Sequence, residues 1–253
     1  MIDEPSGRRT HRRTGHDTAS ETSGGGAALT EGDARAALMR EVDRLLEAHF
    51  GPLDPRPSAP PLDVLVQTIL SQNTTDTNTR RAFRNLRAAF PTWSLVRDAP
   101  ASAIEDAIRS AGLARTKAPR IRRILRALDA AGDPTLASLS QMGDGAALAY
   151  LESFTGVGPK TARCVLLFAL GRDVFPIDTH ILRILRRLGA LPPDVGAARA
   201  HREVVALVPR GRAYALHLRL IALGRRVCRP AKPSCGECPL RAACAHAKPD
   251  ARP

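Results

Sequence analysis

The stretch Phe154-Thr155-Gly156-Val157-Gly158-Pro159-Lys160-Thr161-Ala162 decides the fold. Two glycines flank one small apolar residue, which allows positive φ or close backbone approach, and Pro159 suits the first position of a following helix. Helical apolar spacing leads into this turn over 144–153 and away from it over 159–170. The expected product is helix, tight turn, helix, with free N–H groups at the second helix's start. Such a turn favours an anion, a phosphate in particular. Gly156-Val157-Gly158 alone would equally suit a plain corner between two helices, so the residues downstream carry the decision.

Outward from this turn the pattern is helical almost throughout. From Ala34 onward, Leu38, Val42, Leu45 and Leu46 share one face, until Pro52, Pro55, Pro57, Pro60 and Pro61 end the segment. Further helical stretches are expected at about 62–71, 76–90, 101–111, 116–131, 179–189, 196–208 and 212–224, with breaks at Pro91, Gly112, Pro134, Gly171 and Pro192. No window shows sustained alternation bounded by hairpin turns, and no repeat of fixed period is visible, so the fold class is all-α. Residues 1–33 hold Gly24 to Gly26 and almost no large apolar groups; a flexible tail is expected there.

Across 253 residues, 38 Lys+Arg stand against 25 Asp+Glu, a formal charge of +13. The expected tail has four Arg against six acidic residues, so the basic excess belongs to the folded part and points to a polyanionic partner. No apolar run approaches the roughly 18 residues of a membrane span, and no signal peptide is visible; a cytoplasmic, nucleoid-associated protein is expected. Aromatic residues make up 4%, too few to hold single strands by stacking base after base. The positive charges are 34 Arg and only Lys117, Lys160, Lys232 and Lys248. A lysine in this chain therefore calls for a specific reason.

Eighteen residues after Lys160 stands Asp178, within Phe175-Pro176-Ile177-Asp178-Thr179-His180. It is an apt N-cap for the next helix, and an amine and a carboxylate each at a helix start could also project into one cleft. They would then act as nucleophile and acid/base or electrostatic partner. Cys228, Cys235, Cys238 and Cys244 form C-x6-C-x2-C-x5-C in one short loop, which calls for a metal centre, either zinc or an iron-sulfur cluster. Only one C-x2-C knuckle is present, and a four-iron cluster better spans the six- and five-residue gaps. Cys164 and His180 are read as packing or satisfied polar residues.

These features together resemble the endonuclease III family of base-excision DNA glycosylases: the hairpin Gly156-Val157-Gly158-Pro159-Lys160-Thr161-Ala162, Ile177-Asp178-Thr179-His180, the cysteine loop, Ile69 to Asp76, and Gly112-Leu113 with Lys117-Ala118. The resemblance covers about 34–245. It implies a helix-hairpin-helix fold, with a six-helix barrel over 62–172, a second helical domain from 34–61 and 173–245, a cleft between them, and a tail at 246–253. It implies that Lys160 is a Schiff-base lysine, Asp178 the essential aspartate, and the four cysteines ligands of a 4Fe-4S cluster. Gly156, Val157 and Gly158 would grip DNA, Leu113 would wedge into the duplex, and either Asn73, which aligns where many members carry Gln, or Gln72 beside it would fill the gap left by a flipped base. Where many members have Leu-Pro before the hairpin and Arg before the lysine, this chain has Phe154, Thr155 and Pro159.

The function so implied is a monomeric, bifunctional glycosylase and abasic-site lyase for oxidised pyrimidines, partnered by double-stranded DNA containing damaged bases or abasic sites. A mismatch-specific thymine or uracil glycosylase of the same fold is the alternative. A noncatalytic DNA-binding redox sensor is the reading from another class, and the presence of both Lys160 and Asp178 speaks against it.

Overall fold

A computed structural model of the protein describes residues 30–53 and 59–247. The expected tail over 1–29, Pro55 and Pro57, and the tail over 248–253 lie outside the described residues. Helix α1, Glu31–Phe50, begins earlier than the expected 34. Thr30 Oγ1 accepts from Asp33 N–H and Asp33 Oδ2 accepts from Thr30 N–H, both at 3.2 Å, a capping box that draws 30–33 out of the expected tail and into the helix start.

Ten further helices follow: α2 (Pro61–Leu70), α3 (Asp76–Ala89), α4 (Trp93–Asp98), α5 (Ala101–Ile108), α6 (Ala114–Ala130), α7 (Asp144–Glu152), α8 (Pro159–Leu170), α9 (Thr179–Leu188), α10 (Ala197–Glu203) and α11 (Ala213–Arg226). Among the described residues there is no strand. Two stretches expected as single helices end instead in a tighter 3₁₀ turn, at Arg109–Ala111 and Val204–Ala206. Gly112, at φ 66, then redirects the chain after the first of these. Helix α4 was not expected. It forms because Thr92 caps it, Val96 is fully buried, and Trp93 Nε1 donates to Asp63 Oδ1 at 2.9 Å.

The apolar side chains gather into two cores. One unites α2 to α8 through residues such as Leu65, Ile69, Leu86, Ile104, Ile121 and Leu151. The other joins α1 to α9, α10 and α11 through Met39, Val42, Leu46, Ile181, Leu185 and Leu220. Helix α8 belongs to both, since Val165 and Leu166 enter the first core and Leu167 the second. A helix apolar on two faces must sit between layers, and this places the start of α8 at their junction. Far apart in sequence, α1 and α11 are also joined by charge. Arg212 Nε meets Asp43 Oδ2 at 2.5 Å, and the buried Arg219 reaches Glu47 Oε1 at 3.0 Å and Gly51 O at 2.9 Å. Among the described residues no helix is long and apolar enough to cross a membrane.

Lys117, on α6, is 2% exposed. Its ammonium donates to Leu70 O at 2.8 Å, Gln72 O at 2.7 Å and Ala111 O at 2.9 Å. Burial, with Arg120 nearby, pushes its pKa down, so the three acceptors are what keep a charge there tolerable. Lys117→Met fills the same space but orphans three carbonyls. It should lower the urea unfolding free energy by roughly 3 kcal/mol; an unchanged midpoint would show that the carbonyls find other partners.

Candidate active site

The turn between α7 and α8 takes the expected form. Gly156 has φ 95, and a Cβ there would lie 2.7 Å from Arg120 Cδ, so both the backbone conformation and the close approach require glycine. Val157 is buried in the first core and donates its N–H to Phe154 O at 2.9 Å. Gly158 is an extended N-cap without a side-chain cap, and Pro159 opens α8. The N–H groups of Gly156 and Gly158 have no hydrogen-bond partner among the described residues.

Lys160, the second residue of α8, and Asp178, the N-cap of α9, line one open cavity of about 940 Å³ between the two cores. Asp178 Oδ1 accepts from Ile181 N–H at 2.8 Å, which fixes the carboxylate while Oδ2 makes no hydrogen bond among the described residues. Capping and cleft placement, which the sequence offered as compatible roles, are both realised. Cys164 also lines this cavity, one turn beyond Lys160, and burial pushes its thiol pKa up. His180 likewise borders it; its Nδ1 lies 3.2 Å from Arg183 Nη2, and a Cβ on Gly224 would come 2.8 Å from its Cβ.

Two histidines missed in the sequence hold the chain just before Asp178. His201 Nε2 accepts from Ile177 N–H at 3.0 Å while its Nδ1 lies 2.8 Å from Ala197 O. His217 Nδ1 lies 3.0 Å from Pro176 O, and its ring meets Phe168 and Phe175 edge-on. His201 must be neutral, with the proton on Nδ1, to accept at Nε2, and His217 needs a proton on Nδ1 to donate to Pro176 O. Burial lowers each from 6.5 to about 4. Their separations of 24 and 41 residues from the backbone they support leave no local signal.

Gln72 and Asn73, adjacent in sequence, part company in space. Gln72 Oε1 accepts from Arg120 Nη1 at 2.8 Å, whereas Asn73 is exposed at φ 54. Leu113, at φ 51, is 56% exposed at the start of α6. Across the cavity, Arg225 on α11 makes a two-pronged pair with Asp76 on α3, at 2.6 and 2.9 Å. This pair holds Asp76 below the usual carboxylate range.

Cys228, Cys235, Cys238 and Cys244 line one small separate cavity with Arg187 and Arg241. Arg187 Nη1 lies 3.3 Å from Cys228 Sγ and donates to Arg229 O at 2.8 Å, and Cys244 Sγ donates to Arg187 O at 3.4 Å. Burial raises the Cys238 and Cys244 thiols, and the neighbouring cysteines add to the shift. Among the described residues no three His, Cys, Asp or Glu side chains are arranged to hold a metal ion.

An all-helical molecule whose glycine hairpin opens into a lysine- and aspartate-bearing cleft defines the helix-hairpin-helix class. Residues 66–210 match the family described as HhH-GPD superfamily base excision DNA repair protein, and the chain belongs to it. It is 39% identical over 165 residues to an Arabidopsis thaliana protein bearing a DNA glycosylase name, a match spanning 65% of this chain and 56% of that one. To endonuclease III of Thermotoga maritima it is 32% identical over 185 residues, 73% of this chain and 82% of the relative. A trapped endonuclease III–DNA covalent intermediate has a similar structure, with TM-score 0.70, 26% identity, and coverage of 87% of this chain and 98% of that one.

The two buried rings make acid stability a test of the site's support. Their folded pKa values lie below the unfolded value, so between about 6.5 and about 4 the unfolded chain binds protons that the folded chain refuses. Stability is therefore full above pH 6.5 and falls as the pH drops toward 4, by roughly 3 kcal/mol for His217 alone. Urea unfolding from pH 7.5 to 4.5 should show this loss, smaller in His217→Gln; equal slopes in the two proteins would show that the ring titrates normally in the fold.

Proposed function

We propose that the protein is a bifunctional DNA glycosylase and abasic-site lyase that removes oxidised pyrimidines from duplex DNA, acting as a monomer. The observation that carries this reading is the meeting of Lys160 and Asp178 in one cavity directly behind a hairpin with free N–H groups. Family membership and the likeness to a protein trapped covalently on DNA support it.

The free amides of Gly156 and Gly158 receive a DNA phosphate, and the basic excess of the chain adds affinity that falls with salt. A base within the stack shields its sugar carbon, so the nucleotide is turned out into the cavity. Leu113 and Asn73, both exposed on left-handed backbone, enter the space it leaves. Gln72 stays behind, held by Arg120. The Lys160 amine, in its neutral form, attacks C1′; the C–N bond to the base breaks and the base departs with a proton. Asp178, pinned by Ile181 N–H, stabilises the positive sugar and helps move protons through its free oxygen. The C1′–O4′ bond of the resulting aminal opens as O4′ takes a proton, and the protonated imine so formed loses a C2′ proton, which expels the 3′ phosphate and nicks the strand. A guanidinium cannot take this role, being permanently protonated.

The two cores are read as the two expected domains, 62–172 and 34–61 with 173–245. Four thiols that line one cavity, in the C-x6-C-x2-C-x5-C spacing, support the reading that Cys228, Cys235, Cys238 and Cys244 would hold a 4Fe-4S cluster once drawn together around it. When bound, such a group ties together a loop that has little apolar cover of its own.

Borohydride should trap the wild-type protein on a lesion duplex through Lys160. Lys160→Arg should bind DNA but give no adduct, and Asp178→Asn should excise orders of magnitude more slowly. Base release without any trapped adduct in wild type would move the protein to the monofunctional class. The purified protein should also be yellow-brown with about four iron atoms per chain; zinc without iron would remove the cluster from this reading.

A further inference from the structure

The cavity that holds Lys160 and Asp178 has more wall than sugar chemistry uses, and most polar groups on that wall are already engaged. On α2, Thr68 Oγ1 donates to Val64 O at 2.7 Å and Ser71 Oγ to Thr68 O at 2.8 Å. Gln72 is held by Arg120, Asp76 by Arg225 and His217 by Pro176 O. Gln67 is the exception on α2 among the described residues. It is half-buried, it lines the cavity, and its side-chain amide has no hydrogen-bond partner among the described residues. Phe168, Ile221 and the Cys164 thiol line the same open cavity, so the free amide shares its wall with apolar as well as polar side chains. A half-buried amide that spends none of its hydrogen bonds on the fold is available to a ligand that supplies both a donor and an acceptor. Asn73 also carries a free amide, but it is exposed at the cavity's edge rather than set in a helix wall.

We propose that Gln67 is a specificity-determining residue that reads the polar edge of the base turned into the cavity. The inference rests on the glycosylase reading and deepens it. A pyrimidine imide, as in thymine- and uracil-derived lesions, presents a carbonyl beside N3–H; the amide answers with its NH₂ and its C=O in two parallel hydrogen bonds. Rotated by half a turn, the same amide answers the amino group and N3 of a cytosine-derived base. Gln67 therefore answers either kind of pyrimidine edge, whereas a carboxylate, which only accepts, pairs with the amino group of a cytosine-derived base better than with an N3–H flanked by two imide carbonyls.

The test uses the full chain and three duplexes, carrying dihydrouracil, 5-hydroxycytosine or a preformed abasic site. Gln67→Ala should lower kcat/KM for base release roughly ten- to hundredfold on both bases, as expected for a lost bidentate contact. Cleavage and borohydride trapping at the abasic site should stay at wild-type level, which also shows that the variant is folded. Gln67→Glu should retain 5-hydroxycytosine release while losing dihydrouracil release. Base release by Gln67→Ala at the wild-type rate overturns the proposal, as does an equal loss on the abasic duplex, which would mark the residue as structural. Failure of the wild-type protein on all three duplexes would instead refute the glycosylase reading itself.

Discussion

One ammonium organises the two loops that carry Asn73 and Leu113. Lys117 reaches three carbonyls, two at the end of α2 and one at the end of the 3₁₀ turn before Leu113. Carbonyls at helix ends lack the next turn of helix to satisfy them, and here one nitrogen serves three of them. Two of those carbonyls lie just ahead of strained positions: Gln72 O precedes Asn73, and Ala111 O precedes Gly112 and Leu113. Asn73 and Leu113 both hold positive φ, a conformation that costs a residue with a Cβ and persists only when its surroundings enforce it. The clamp supplies that enforcement to both loops at once. An arginine could not replace it, because a planar guanidinium spreads its donors in a fork rather than converging them on one point. In a chain that otherwise spends arginine freely, geometry accounts for lysine at 117, as imine chemistry would at 160.

Lys160 and Asp178 are brought together by a different device. Lys160 rides on α8, which is gripped by both cores, and Asp178 caps a helix of the second core. The segment leading to Asp178 has no helix or strand to fix it, so its Ile177 N–H and Pro176 carbonyl are taken by two buried histidines. Each histidine carries one ring nitrogen to the segment and keeps its neutral form through burial. The cavity walls are thus set from both sides, and the Asp76–Arg225 pair spans between them. Positioning of this kind is where a catalyst gains most, since small displacements of a nucleophile forfeit much of its rate.

The sequence made the helical elements and the motif residues legible because their signals are local. Proline and glycine breaks bracket nearly every helix, and the capping role of Asp178 followed from its place before Ile181. Local reading failed where the deciding contact is distant or brief. Helix α4 spans six residues, too few for a periodic pattern, and depends on a Trp93–Asp63 bond across 30 residues. The start of α1 was hidden because Thr30 and Asp33 look like ordinary polar tail residues until their reciprocal bonds are seen. Lys117 was conspicuous as a rare lysine, yet two of its three acceptors lie 45 and 47 residues away. Gln72 and Asn73 could not be told apart by alignment with a motif; the Arg120 contact and the left-handed backbone separate them.

The same distinction explains why chemistry is easier to read than substrate. A hairpin that binds phosphate through backbone N–H groups works for any base sequence, and a lysine that attacks a sugar carbon works for any base attached to it. Both needs fall on short, fixed arrangements of residues, so they leave motifs. Choice among bases falls instead on whichever wall side chains still have hydrogen bonds to give, and availability is a property of the folded neighbourhood. Thr68, Ser71 and His217 are as polar as Gln67 and border the same cavity, but each is engaged by a carbonyl nearby. Only the three-dimensional accounting of donors and acceptors removes them from consideration. Selectivity in such a cleft therefore rests on the polar groups left over after the fold has satisfied its own, and a single substitution on α2 can change it without touching the hairpin or the lysine.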